Sequence, residues 1–245
     1  MLGPPWQDLP HVFAGRVGYP VDFPDRETLS AFLSRHDLEN DFAAHLWQPV
    51  SRARDGNPDA PAAKYFVIHD TSGPSFGHKP WPQDIDGDRK INGLARHRCE
   101  DGWESAHVFI NRAGRMLLGH DFAKPWRATK FERATRFGTA LKGLFLHVEL
   151  TQPRRRDPRR GRRDDSVAPL PGFSTAQYEK LALLYLIASV RAETWLIPVF
   201  HAVIDRHIRN GHDDPQNFNL EAFARSLETL LRRLPRREEP MVSLD

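Results

Sequence analysis

The chain has 245 residues, of which 40% are hydrophobic and 27% charged, a composition typical of a globular protein with a sizeable core. The formal charge of +3 is local, because residues 153–165, PRRRDPRRGRRDD, carry seven arginines and the remainder is close to neutral. The single cysteine, Cys99, excludes an intramolecular disulfide, and no run of about eighteen apolar residues is present to span a membrane.

The first part of the chain is rich in proline and aspartate and contains one predicted helical stretch. Asp25 is the expected N-cap of a helix that runs through Leu29 and Phe32, and residues 38–47 are a candidate continuation of it. We expect residues 1–61 to form an N-terminal extension that packs on the core.

Three segments then have the character of strands. Residues 64–70, KYFVIHD, read as a buried strand, and residues 106–121, AHVFINRAGRMLLGHD, read as two strands around a turn at Ala113-Gly114. Residues 142–150, KGLFLHVEL, are the third segment and form another clear strand. Period-two alternation there predicts one face with Leu144, Leu146, Val148 and Leu150 and the other with Phe145, His147 and Glu149.

The last third of the chain is mainly helical. Residues 173–195 open with Ser174 and Gln177 in capping-box spacing and are apolar around most of the helix. LIPVFH, residues 196–201, is a predicted short strand. Residues 219–234 form an amphipathic helix whose apolar stripe is Leu220, Phe223, Leu227, Leu230, Leu231 and Leu234. Together these elements predict an α/β fold with a mixed central β-sheet flanked by helices.

Three possible metal ligands stand at the ends of elements. His69 ends the first strand, His201 ends the short strand at 196–201, and Asp214 follows thirteen residues later, before Pro215, which restricts its backbone. Two imidazoles and one carboxylate are a typical catalytic zinc set, with the fourth position left for water. The alternative is coincidence, because the chain has twelve histidines and a histidine at a strand end is usually only a polar terminus.

Several short motifs occur together in one order: YFVIHDTSG, SAHVFINRAGRMLLGHD, LFLHVEL, FSTAQYEKLALLYLI, IPVFHAVID and HDDPQNF. As a set, they resemble the zinc-dependent N-acetylmuramoyl-L-alanine amidases, the family shared with peptidoglycan recognition proteins and phage T7 lysozyme. The resemblance covers residues 62–234, the implied zinc amidase domain, and leaves 235–245 as a C-terminal tail. It implies the fold of that family and Zn2+ held by His69, His201 and Asp214.

The resemblance also implies catalytic roles. Glu149 matches the acidic residue at the end of the family's central strand and is the implied general base. His212 stands where many of these amidases carry a lysine and is the implied oxyanion-stabilising group. A second departure is WRATKFE, residues 126–132, where the family often shows a Trp-His-Ala-Gly segment.

The implied activity is hydrolysis of the amide between N-acetylmuramic acid and L-alanine, in peptidoglycan or muropeptides. A monomer acting on the bacterial cell envelope, in the periplasm or after export, is expected. MLGPPWQDLP, residues 1–10, lacks the features of a signal peptide, so cytoplasmic muropeptide recycling is the alternative setting.

Two other functions compete with this interpretation. A non-catalytic peptidoglycan-binding module of the same fold typically lacks a zinc ligand, whereas all three positions are filled here. Nucleic-acid binding through residues 153–165 is disfavoured, because the segment has no interleaved aromatics and contains three aspartates; we expect a mobile loop instead and no nucleic-acid partner.

Lesser signals have structural explanations. Residues 84–95 resemble a calcium loop, but Arg89 replaces its glycine and Ala95 its final acid. His107 is expected to be structural or on the substrate side. His147 either lines a cleft beside Glu149 or is a satisfied, semi-buried histidine.

Overall fold

The computed structural model describes residues 9–36, 46–53, 57–98, 105–134, 141–157 and 167–235. Within them a five-stranded mixed sheet has the order β3-β2-β4-β1-β5. Strand β3 is antiparallel to β2, and the other neighbours are parallel. The strands are β1 Tyr65–Asp70, β2 Val108–Ile110, β3 Met116–Leu118, β4 Phe145–Leu150 and β5 Ile197–Phe200. The predicted α/β class and mixed sheet are confirmed.

Helices flank this sheet, and a 3₁₀ helix spans Leu94–His97. The α-helices in the described ranges are α1 His11–Ala14, α2 Arg26–Arg35, α3 Arg89–Asn92, α4 Lys130–Arg133, α5 Thr175–Ala192, α6 His201–Ile204 and α7 Leu220–Arg233. None of these helices has the length and apolar character needed to cross a membrane.

Helix α5 is the centre of the main core. Its predicted capping box is present, because the Ser174 hydroxyl accepts from Gln177 N and the Gln177 side chain accepts from Ser174 N. Apolar residues cover most of the circumference, so the helix is largely buried between the sheet and α7, with Glu179 exposed in its first turns. Helix α2 begins after Asp25 as predicted, and it packs into the same core together with α1. Most of the candidate continuation at 38–47, like Cys99, lies outside the described residues.

Strand β4 separates two cores. Leu146, Val148 and Leu150 face the main core, whereas Phe145 packs in a smaller cluster. The placement of Leu144 on the Leu146 face is wrong: Leu144 precedes the strand and contacts the smaller cluster. The alternation inside the strand is as predicted.

The arginine-rich segment begins inside the protein. Arg154 is only 2% exposed, and its guanidinium donates to both carboxylate oxygens of Asp70, at 2.7 and 2.6 Å. The expectation that the run stays outside the packed structure is therefore wrong for Arg154, because a buried carboxylate provides its partner. Residues 158–166 lie outside the described part of the chain.

Candidate metal centre

The predicted site residues meet at the carboxyl ends of the parallel strands. His69 lies at the end of β1, and the register pairs it with Glu149 near the end of β4. Strand β5 ends at Phe200, so His201 does not end a strand as predicted but is the first residue of α6. Ligand sites in open α/β sheets are found at this edge, where neighbouring strands deliver side chains to one place.

Asp214 reaches this edge from the segment that follows α6. Its backbone carbonyl accepts a hydrogen bond from Ala202 N at 2.8 Å, which ties the segment to the start of the helix. Its carboxylate oxygen Oδ2 accepts from Asp70 N at 3.2 Å, which ties it to the end of β1. Two separate backbone contacts thus direct the carboxylate toward the histidines.

His69, His201 and Asp214 form a buried group that could hold a metal ion, with their ligand atoms all within 4.8 Å of one another. The two Nδ1 atoms are 2.9 Å apart, and His201 Nδ1 is 3.0 Å from Asp214 Oδ1. His69 Nδ1 is 3.7 Å from Asp214 Oδ2. In the described ranges this is the one set of histidine, cysteine and acidic residues that converges in this way.

The electrostatics of the group favour a bound cation. Burial, and then repulsion by His201, hold the pKa of His69 well below its usual value, so His69 is neutral, as a metal ligand must be. Burial opposes ionisation of Asp214, but hydrogen bonds from His201 and His212 lower its pKa. Burial also lowers the pKa of His201, yet its hydrogen bonds to Asp205 and Asp214 outweigh this and raise the value to about 9. Without a metal, His201 therefore carries a proton beside the ionised Asp214 carboxylate, and a bound metal ion would take the place of that positive charge.

Glu149 lies beside the three ligands. Its Oε1 is 4.0 Å from His69 Nδ1, its side chain is 14% exposed, and its Oε2 has no hydrogen-bond partner within the described ranges. Burial, followed by the negative charges of Asp214 and Asp70, raises its pKa well above the usual range. A carboxyl group with a raised pKa and one oxygen without a hydrogen bond in the described ranges is suited to accept and return a proton.

Of the other histidines considered from the sequence, His212 is exposed, whereas His147 and His107 are buried. His212 is half-exposed; it stacks on His201 with ring centroids 4.6 Å apart, and its Nδ1 is 3.6 Å from Asp214 Oδ1. His147 is fully buried behind His69 instead of lining a cleft. His107 is structural: its Nδ1 accepts from His147 N, and its Nε2 donates to Lys124 O.

Several residues of the site were missed from the sequence. Asp205 contacts His201 Nε2, and their spacing of four residues becomes a signal only once His201 is known to begin a helix. Glu132 contacts His147. The sequence spacing of Thr129 and Glu132 matches a capping box, so the start of this helix was predictable from the sequence. The Asp70–Arg154 pair had no local signal, because its members are 84 residues apart.

Comparisons of this chain with protein-family models, curated proteins and solved structures find no match. The chemistry of the site therefore has to be inferred from its residues and their geometry.

Proposed function

We propose that this protein is a zinc-dependent N-acetylmuramoyl-L-alanine amidase with the fold of that family. The observation that carries the proposal is the buried His69–His201–Asp214 group with the carboxyl group of Glu149 beside it. The motif order that resembles these amidases supports the choice of substrate.

The donor set fits zinc. Two imidazole nitrogens and one carboxylate oxygen are a common catalytic zinc set, and bonds of about 2.0–2.2 Å in tetrahedral arrangement place ligand atoms roughly 3.3–3.6 Å apart. With Asp214 Oδ2 as the carboxylate ligand, the three distances between ligand atoms are 2.9, 3.3 and 3.7 Å, which bracket that spacing. Small movements of the side chains are enough to bind the ion.

The reaction needs an electrophile, a base and a stabiliser of negative charge. Zinc, when bound, would polarise the amide carbonyl and lower the pKa of a water molecule toward neutrality. Glu149 would take a proton from the attacking water and pass it to the leaving amine nitrogen of L-alanine. His212, which lies over His201 at the exposed side, would donate a hydrogen bond to the oxygen that develops negative charge.

The atoms balance without any further reactant. Water adds its oxygen to the lactyl carbonyl carbon, the C–N bond breaks, and the amine leaves with the proton carried by Glu149. The products are a muramic acid with a free lactyl carboxylate and a stem peptide with a free L-alanine amine.

Two measurements test this function. Elemental analysis of the purified chain should show one zinc per chain, and mass spectrometry of muropeptides after incubation should show the two products above. Binding of muropeptide without cleavage would instead support the non-catalytic module, and cleavage at another amide would refute the proposed specificity.

A further inference from the structure

Both histidines of the metal group are engaged at their second ring nitrogen by buried side chains. His201 Nε2 lies 3.1 Å from Asp205 Oδ2. His69 Nε2 lies 3.1 Å from His147 Nδ1, and His147 Nε2 in turn lies 3.3 Å from Glu132 Oε2. His147 Nε2 makes no hydrogen bond within the described ranges, and its contact with the Glu132 carboxylate is electrostatic.

These contacts determine which nitrogens carry protons. An ionised carboxylate only accepts hydrogen bonds, so Asp205 requires a proton on His201 Nε2. The carboxylate of Glu132, 3.3 Å from His147 Nε2, favours a proton on that nitrogen, which leaves His147 Nδ1 to accept from His69 Nε2. Each histidine can then turn an unprotonated Nδ1 toward a metal ion.

The carboxylates of Glu132 and Asp205 are both held by backbone amides of the same short segment, residues 128–131. Glu132 Oε2 accepts from Ala128 N at 3.2 Å and from Thr129 N and Oγ1 at 3.0 and 2.8 Å. Asp205 Oδ1 accepts from Phe131 N at 2.9 Å, and its Oδ2 lies 3.4 Å from Lys130 N. Four consecutive amide groups at the start of α4, which have no partner within the helix, thus bind the two carboxylates.

We propose that the 128–132 segment is the positioning element for both metal-binding histidines, acting on His201 through Asp205 and on His69 through Glu132 and His147. This inference rests on the proposed metal site, and it assigns a role to the part of the chain that departs from the Trp-His-Ala-Gly pattern. Asp205, His147 and Glu132 are buried and are not among the three ligands; they are positioning residues.

The Asp205→Asn variant gives the sharpest test. Because Phe131 N donates to Oδ1, that oxygen stays in place and the new amide nitrogen takes the position of Oδ2, facing His201 Nε2. Two N–H donors would then point at each other, which disfavours a proton on His201 Nε2. His201 then prefers its proton on Nδ1, where the metal must bind. Loss of such a supporting contact typically weakens metal binding about 10- to 100-fold.

The Glu132→Gln variant tests the other branch with less risk to folding. Glutamine also completes a capping box with Thr129, so α4 keeps its start, while the charge opposite His147 is lost. The matched control is Asp88→Asn: Asp88 caps α3 by accepting from Ile91 N at 2.8 Å and has no contact with the metal group.

The experiment measures zinc affinity of the full chain by competition with a chromophoric chelator. Proton NMR of the zinc-loaded protein then detects the slowly exchanging imidazole Nε2–H signals. We expect zinc binding to be about 10- to 100-fold weaker in Asp205→Asn, with the His201 signal lost. In Glu132→Gln the amide oxygen still faces His147 and only the charge is lost, so we expect a smaller loss of zinc affinity; the control should be unchanged.

The outcomes separate the two proposals. Wild-type zinc affinity and unchanged Nε2–H signals in both test variants would overturn the positioning role alone. If the test variants bind zinc more weakly but the wild-type chain cuts no muropeptide, the positioning role is supported and the amidase activity is refuted. A wild-type chain that binds no zinc would overturn both.

Discussion

Replacement of Glu149 by glutamine separates catalysis from metal binding. Glu149 Oε1 is 4.0 Å from His69 Nδ1, outside bonding distance of the ligand atoms, and Oε2 has no hydrogen-bond partner in the described ranges. Glutamine has nearly the same shape, so the change removes a negative charge and a base without breaking a contact. We expect full zinc content in the variant.

The metal-free variant should be at least as stable as the wild type at pH 7. Burial and the charges of Asp214 and Asp70 raise the pKa of Glu149 in the folded state, so its ionised form costs folding free energy above the unfolded-state pKa, about 4.3. Glutamine avoids that cost. The stability difference should vanish as the pH falls below about 4, where the carboxyl group is protonated in both states.

Turnover should fall by about 100- to 10,000-fold, the usual contribution of a general base. That range corresponds to about 2.7–5.5 kcal/mol of activation free energy. The assay is the initial rate of muropeptide cleavage at saturating substrate, followed by chromatography with mass detection. The matched control is Glu179→Gln, an exposed glutamate on α5, which should leave the rate unchanged.

Turnover within tenfold of the wild type would refute the base role of Glu149. His212 would then be the next group to test, because both ring nitrogens of His147 face His69 and Glu132. Loss of zinc from the variant would show that Glu149 is itself a ligand.

Three further changes test other parts of the site. His201→Ala should lower zinc content and abolish hydrolysis; full zinc occupancy by elemental analysis would contradict its role as a ligand. His212→Ala should keep zinc and lower turnover about 100- to 1,000-fold, as loss of an oxyanion donor does, and an unchanged rate would exclude that role. Arg154→Met leaves the buried carboxylate of Asp70 without its charged partner. The free energy of unfolding, measured with urea, should fall by about 3–5 kcal/mol. The exposed Arg225→Met is its control, and a loss below about 1 kcal/mol would show that Asp70 does not depend on Arg154.

Local patterns in the sequence were sufficient for most elements of the fold. The alternation in β4 predicted which side chains face the main core, and the Ser174–Gln177 capping box predicted where α5 begins. Such signals depend on residues only a few positions apart, which interact in almost any context. Leu144 was misplaced because the pattern cannot say at which residue the strand pairing starts.

The main candidate ligands were also accessible from the sequence. His69, His201 and Asp214 lie at predicted element ends, and the geometry brings all three together. Zinc and the amidase activity remain predictions. The sequence could not show that His201 begins a helix; that follows from where β5 stops pairing with β1.

The supporting contacts were decided only by the tertiary structure. The parallel register sets His69 beside Glu149. Packing of the 128–132 segment brings Glu132 to His147 and the amide of Phe131 to Asp205. Arg154, in a segment that reads as solvated, is buried because Asp70 lies across from it. These pairs join residues far apart along the chain, so no local pattern encodes them. They exist because the buried carboxylates need donors, and folding determines which donors are within reach.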